Sequence, residues 1–264
     1  MADSEIHVSE TGEGAPVLLV HSSGLSGDQW RRTTAELVSD GKRVFVPDLL
    51  GCGRSPAWPA GTPLSFSDDL AALDPLLARI HETHGPVHLV GHSYGGLLSL
   101  RLAVSHPARI RTLCVYDPVA FGVLGSDDAD ARADLDGVSF GWGSTVPEQE
   151  AWLRGFVDYW GGPGAWQKLS ARVRAEMLRV GWVAHEEARS LLDDATPKSA
   201  YRTITAPILL VGGERSPIAA RRVLQRLAEV LPNARLATLA DAGHMGPISH
   251  VQPFNALLRA HLAA

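Results

Sequence analysis

Ser93 stands between two glycines, each two positions away, in the stretch VHLVGHSYGG at residues 87–96. An apolar run leads into it and a helical pattern, LLSLRLA, leads out. A chain that turns at once from strand to helix forces the corner residue into a strained backbone and exposes its side chain above the sheet. Strand and helix backbones crowd together at such a corner, which accounts for Gly91 and Gly95. A hydroxyl presented there can attack a carbonyl carbon. The amide of Tyr94, near the positive end of the helix dipole, is then aimed at the oxyanion that forms. Serine in a turn is ordinary, so the pentad carries weight only because of the strand before it and the helix after it.

A serine hydroxyl needs a base, and the base needs an acid to orient it. Among the eleven histidines, His7, His81, His84 and His106 fall in polar termini or loops. His88 and His92 fall in the strand and the corner, where packing explains them. His244 differs, because LADAGHMGPISH sets it in a Gly-flanked loop just after the last predicted strand. His250 opens the final helix and is the weaker candidate. Asp241 is too close to His244 along the chain to orient it and is read as a loop-stabilising residue.

The elements that must position these groups are legible as short apolar runs at 16–21, 43–49, 86–92, 111–117, 207–213 and 234–240. Several are apolar almost throughout, as strands covered on both faces are. Helical patterns separate them. One opens at Ser26 or Asp28 and closes on Gly41. Another has Ser67 as its expected cap, ends at Gly85 and contains Pro75, which should kink it or start a new helix. Strand and helix alternate as in a doubly wound, mostly parallel α/β sheet with helices on both faces.

From about Phe121 to Ala200 no strand pattern occurs, and five of the seven tryptophans lie there: Trp142, Trp152, Trp160, Trp166 and Trp182. The stretch begins with an acidic segment, GSDDADARADLDG, expected to be mobile, and continues with helical patterns. It divides the chain into a first core part (1–120), a helical lid (121–200) and a second core part (201–264). Trp142, Trp160 and Trp166 are candidates for apolar substrate contacts, with a place in a subdomain core as the alternative for each.

The bulk properties limit the classes of function. The 264 residues suffice for one large α/β domain, with 45% hydrophobic and 20% charged residues. A net charge of −5 without a basic run argues against a nucleic-acid or anionic-membrane partner. Cys52 and Cys114 form no metal or disulfide spacing. The acidic, polar start MADSEIHVSE is no signal peptide, and no apolar run is long enough to span a bilayer. A soluble, cytoplasmic protein is expected.

Taken together, the chain resembles the α/β-hydrolase fold superfamily over nearly its whole length. HSSGLSGDQW (21–30) is similar to the family's His-Gly loop, whose backbone supplies the second oxyanion donor. By position that donor is the amide of Ser23, and Ser22 stands where the family usually has glycine. DLLGCGRS (48–55) matches a family turn in which Asp48 and Arg54 are structural. The family's usual acid follows the strand matching PILLVGG, in a Gly-x-x-Asp pattern. Here that pattern reads Gly213-Glu214-Arg215-Ser216, so a serine occupies the acid position. Some members carry the acid after the preceding core strand, which is Asp117 in this chain. Asp117 is preferred, and Glu214 is the alternative.

The resemblance implies a serine hydrolase acting on a small-molecule ester or lactone, with Ser93 as nucleophile, His244 as base and Asp117 as acid. The amides of Ser23 and Tyr94 would hold the oxyanion, and no cofactor or metal is implied. Members that open epoxides or displace halide carry aspartate at the nucleophile position, so Ser93 argues against that chemistry. Carbon–carbon bond hydrolases, thioesterases and cofactor-free perhydrolases fit the same pattern. A non-hydrolytic ligand-binding protein on this fold is the alternative of a different class.

Overall fold

The computed structural model describes residues 6–136 and 141–263. Among these residues seven strands form one sheet: β1 (Val8–Thr11), β2 (Ala15–Val20), β3 (Lys42–Pro47), β4 (Val87–His92), β5 (Ile110–Tyr116), β6 (Ile208–Gly213) and β7 (Ala234–Leu239). Their spatial order is β1-β3-β2-β4-β5-β6-β7. All neighbouring pairs are parallel except β1 with β3. The six apolar runs correspond to β2 through β7. The extra strand, β1, is four residues long with two exposed positions, so it carries no apolar run by which the sequence would betray it.

Among the described residues, eleven α-helices accompany the sheet. They are α1 (Arg31–Ser39), α2 (Phe66–His84), α3 (Tyr94–Ser105), α4 (Ala129–Asp136), α5 (Val146–Gly161), α6 (Ala165–Lys168), α7 (Ala171–Arg179), α8 (Gly181–Leu192), α9 (Ile218–Ala228), α10 (Gly246–Ser249) and α11 (Val251–Leu262). Alternate residues of each central strand enter different cores, because side chains on a strand point to opposite faces. Leu18, Val20, Leu89, Leu113 and Leu210 join Leu73, Leu77, Leu97 and Leu224 from α2, α3 and α9. Val17, Leu19, Val90, Cys114 and Val211 join Leu37, Phe254 and Leu258 from α1 and α11. Each fully buried aliphatic side chain contributes roughly 1.5–3 kcal/mol. A one-residue slip of any central strand would exchange the two sets.

Two local expectations are corrected, the cap of α2 and the mobility of the acidic segment. Ser65, not Ser67, caps α2: its backbone N–H and hydroxyl both meet the carboxylate of Asp68, at 2.8 and 2.9 Å. The helix then runs through Pro75 as one element. The acidic segment is helical and ion-paired. Asp128, fully buried, meets Arg222 at 3.0 Å and Arg226 at 2.8 Å, and Asp127 and Asp130 pair with the same two arginines of α9. Asp134 accepts from the Ala219 amide in the first turn of α9 at 2.9 Å, where the helix dipole favours an anion. Charge complementarity with a helix some ninety positions away is invisible in a local reading of that segment.

The sheet reverses its winding between β2 and β4. Both neighbours of that crevice end on the same sheet edge, where ligands of doubly wound folds bind.

Candidate active site

Ser93 follows β4 directly and precedes α3. Its φ of 56° and ψ of −117° lie in a region that a side chain adopts only when its surroundings hold it there. Those surroundings are identifiable. A Cβ on Gly91 would come within 2.2 Å of the Gly95 carbonyl oxygen, and one on Gly95 within 2.4 Å of the Val20 and His21 carbonyl oxygens. Only glycine lets α3 start this close to β4 and β2.

His244 brings Nε2 to 2.9 Å from Ser93 Oγ, and its Nδ1 stands 3.3 Å from Asp117 Oδ2. Three residues from three loops at one sheet edge thus form a continuous line, all buried. Since Nε2 accepts from the serine hydroxyl, Nδ1 carries the ring proton and donates toward Asp117. Asp117 sits just past β5 with φ of 41°, and its Oδ2 also accepts from Ser216 Oγ at 2.5 Å. Glu214 is elsewhere: it is exposed, and its Oε2 accepts from the Asp241 amide at 2.9 Å. Asp241 in turn pairs with Arg215.

Burial raises the Asp117 carboxyl to about 8, opposed by the Ser216 hydrogen bond, and lowers the His244 imidazole to about 3. Both shifts express the same cost, that of a lone charge in a dry site. Between those two values the imidazole is neutral and the carboxyl keeps its proton. The cost falls when imidazolium and carboxylate form side by side, which is the charge distribution a proton-accepting histidine creates.

His92, read from the sequence as a packing group, and Tyr116, not singled out in the sequence, hold the histidine loop. His92 Nε2 donates to the His244 carbonyl at 2.8 Å, and the Tyr116 hydroxyl donates to the Gly243 carbonyl at 2.7 Å. No local pattern distinguishes such a histidine from one in a core.

The loop after β2 is built in the same way. The Leu49 amide donates to His21 Nε2 at 2.9 Å, so His21 Nδ1 bears the proton and donates to the Ser22 carbonyl at 2.8 Å. A trans peptide points its N–H opposite to its C=O, so fixing the Ser22 carbonyl fixes the direction of the Ser23 amide. Among the described residues, the non-glycine positions with positive φ are Ser93, Asp117 and Asp241. Ser22 therefore needs no glycine-like backbone. Tyr94 is the first residue of α3, and its N–H has no intrahelical partner. Asp48 accepts from the Gly27 amide at 2.7 Å and the Arg54 amide at 3.0 Å, holding two turns together.

A cleft opens at Ser93, lined also by Ser23, Val119, Phe121, Leu135, Phe156 and Leu191. Trp160 also lines it, its ring centred 4.1 Å from that of His244. Trp142 and Trp166 are not in the lining. Trp142 packs edge-on against Trp152 and Trp182, and Trp166 lies in a small core with Leu153, Met177 and Ala184. Among the described residues, no three His, Cys, Asp or Glu side chains gather as a metal site would require. No helix among them is long and apolar enough to cross a membrane.

A mostly parallel sheet with helices on both faces, and a strained serine at the end of a central strand, define the α/β-hydrolase class. A sequence model described as the alpha/beta hydrolase family matches residues 17–258, and the chain belongs to that family. It is 31% identical over 261 residues to a pimeloyl-[acyl-carrier protein] methyl ester esterase of Chromobacterium violaceum, covering 97% of this chain and 98% of that one. It is 27% identical to a 2-hydroxymuconate semialdehyde hydrolase of Pseudomonas sp. strain CF600, covering 97% and 90%. Among solved structures, the enol-lactonase of Burkholderia xenovorans LB400 superposes with a TM-score of 0.76 at 20% identity, covering 98% and 96%, which shows a shared fold.

Proposed function

We propose that this protein is a serine hydrolase that cleaves a carboxylic ester or lactone of a small, largely apolar substrate through an acyl-enzyme. The observation that carries this reading is the 2.9 Å contact between Ser93 Oγ and His244 Nε2 at a strained strand–helix corner. In this mechanism Ser93 Oγ attacks the carbonyl carbon while His244 accepts its proton. Asp117 orients the imidazole and offsets its transient positive charge, and the amides of Ser23 and Tyr94 hold the oxyanion. His244 then protonates the departing alkoxide. Water, deprotonated by the same histidine, releases the acid and restores Ser93.

The apolar walls support an acyl or alkoxy group without charge. The helical stretch 121–200 acts as a lid, since α4, α5 and α8 supply most of those walls. The relative named a semialdehyde hydrolase favours carbon–carbon bond cleavage as a second reading. Among the described residues, the lining of this cleft is mostly apolar and includes no arginine, lysine or histidine. The ester reading is accordingly the stronger one. Covalent labelling by a fluorophosphonate tests it: the wild type should label, and Ser93→Ala should not. Labelling that persists in Ser93→Ala would mean that another nucleophile is at work.

A further inference from the structure

Beneath the loop after β2 lies a carboxyl group that the proposed mechanism does not use. Glu187, from α8, is fully buried, and its Oε2 is hydrogen-bonded to the hydroxyl of Ser23. Its Oε1 has no hydrogen-bond partner among the described residues. A second buried carboxyl, Asp69 of α2, lies close enough to repel it. Asp69 accepts from the Tyr94 hydroxyl at 2.7 Å and the Leu50 amide at 3.0 Å. The other groups facing this cluster are the Tyr94 phenol and the Cys52 thiol, both kept neutral by burial. Farther out, Asp48 and Arg179 act on Cys52, and Arg179 is paired with Glu176 at 2.6 Å. On its own helix, Glu187 is flanked by Glu186, which is paired with Arg189 at 3.0 Å, and by His185.

A hydroxyl has one hydrogen to donate and two lone pairs to accept with. Were Glu187 ionised, that single hydrogen would be committed to the carboxylate. With Glu187 protonated, the acid donates to Ser23 Oγ, and the serine hydrogen is free to turn into the cleft that Ser23 and Ser93 both line. Burial, reinforced by Asp69, raises Glu187 well above the usual carboxylate range, opposed by Ser23 and the Gly24 backbone. Burial beside Asp69 therefore favours the acid form.

We propose that the Ser23 hydroxyl is a third oxyanion donor beside the Ser23 and Tyr94 amides, and that protonated Glu187 is the positioning residue that turns it toward Ser93. The inference rests on the serine-hydrolase reading and extends it. It couples the lid to the chemistry, because α8 must be seated over the loop for the third donor to be available.

The test combines turnover of a p-nitrophenyl ester with the rate of fluorophosphonate labelling at Ser93, since the phosphoryl oxygen of the probe occupies the same hole. Ser23→Ala should lower kcat and the labelling rate about 10- to 100-fold with KM nearly unchanged, somewhat less than loss of a main oxyanion donor. Glu187→Leu should match that loss, and the Ser23→Ala/Glu187→Leu double variant should lose no more than either single one. Glu187→Gln, whose amide can donate to Ser23 as the acid does, should recover what Glu187→Leu loses. Wild-type kcat should decline at alkaline pH as Glu187 ionises, and Glu187→Gln should lack that decline. Unchanged labelling in Ser23→Ala, additive losses in the double variant, or the same alkaline decline in Glu187→Gln would each overturn the inference. A wild type that does not label at all would instead overturn the hydrolase reading beneath it.

Discussion

Ser216 Oγ donates to Asp117 Oδ2 across 2.5 Å, and the same carboxylate oxygen faces His244 Nδ1 at 3.3 Å. The loops after β5 and β6 thus converge on one point. The position where the family's usual acid would stand holds instead a hydroxyl that donates to the carboxyl group next door. A hydrogen bond to the charged form of Asp117 opposes the effect of burial. Ser216→Ala should reduce kcat about 10- to 100-fold at neutral pH, as loss of a hydrogen bond to a charged group of about 1.5–3 kcal/mol implies. Part of that loss should return as the pH is raised. Wild-type kinetics in Ser216→Ala would show that Asp117 is held without it.

Asp117→Asn and Glu214→Gln separate the two candidate acids. The first should lower kcat by up to about four orders of magnitude while the fold survives, as removal of an orienting acid does. The second should leave kcat within about threefold of wild type, because Glu214 meets the Asp241 amide and not His244. The opposite pattern would move the acid to the loop after β6.

The pH profile follows from the proton on Asp117. The proposed mechanism needs a neutral His244 beside an ionised Asp117, so the proton that burial keeps on Asp117 must leave first. Burial raises Asp117 to about 8, and kcat/KM should therefore still be rising with pH above 7. In Ser216→Ala the midpoint should move higher. A profile already flat at pH 6.5 in the wild type would contradict this assignment.

Stability should also depend on pH through Asp69. Burial raises its pKa from 3.8 to about 7, so the folded chain keeps a proton that the unfolded chain has lost. The contribution is complete below about 3.8 and is lost as the pH climbs toward 7. Relative to wild type, Asp69→Asn should gain on the order of 2–4 kcal/mol between pH 4 and pH 8. Urea unfolding at the two pH values measures the gap, and a pH-independent difference would rule this out.

The tryptophans should divide into two groups. Trp160→Ala opens the cleft beside His244 and should change KM and acyl-chain preference across a series of p-nitrophenyl esters. Trp166→Ala leaves a hole in a small core and should cost about 3 kcal/mol or more of stability without changing that preference. Trp142→Ala should behave like Trp166→Ala, since its ring packs on other aromatic rings and not on the cleft. If Trp166→Ala or Trp142→Ala altered chain-length preference as Trp160→Ala does, this division would fail.

What the sequence by itself determined is what depends on neighbours along the chain. The strands of the doubly wound sheet are apolar runs covered on both faces, and the Ser93 corner needs only a strand, two glycines and a helix in order. His244 stands out for the same reason, as a Gly-flanked histidine past the last strand, and the structure sets it 2.9 Å from Ser93. Tertiary structure decided the rest, because the deciding contacts join residues far apart in the chain. Asp117 rather than Glu214 lies against His244 because the loop after β5 passes beneath it, 127 positions away. His92 carries no mark of its hydrogen bond to the His244 carbonyl, 152 positions on. Which tryptophan faces the cleft depends on how α5 is rotated against its neighbours, and an aromatic residue fits a core as well as a pocket. The acidic segment is charged enough to read as solvated until α9 brings Arg222 and Arg226 to it. Glu187 reads as one more charge on a helix, and only the packing of α8 over Ser23 and Asp69 removes it from water and gives its proton a use.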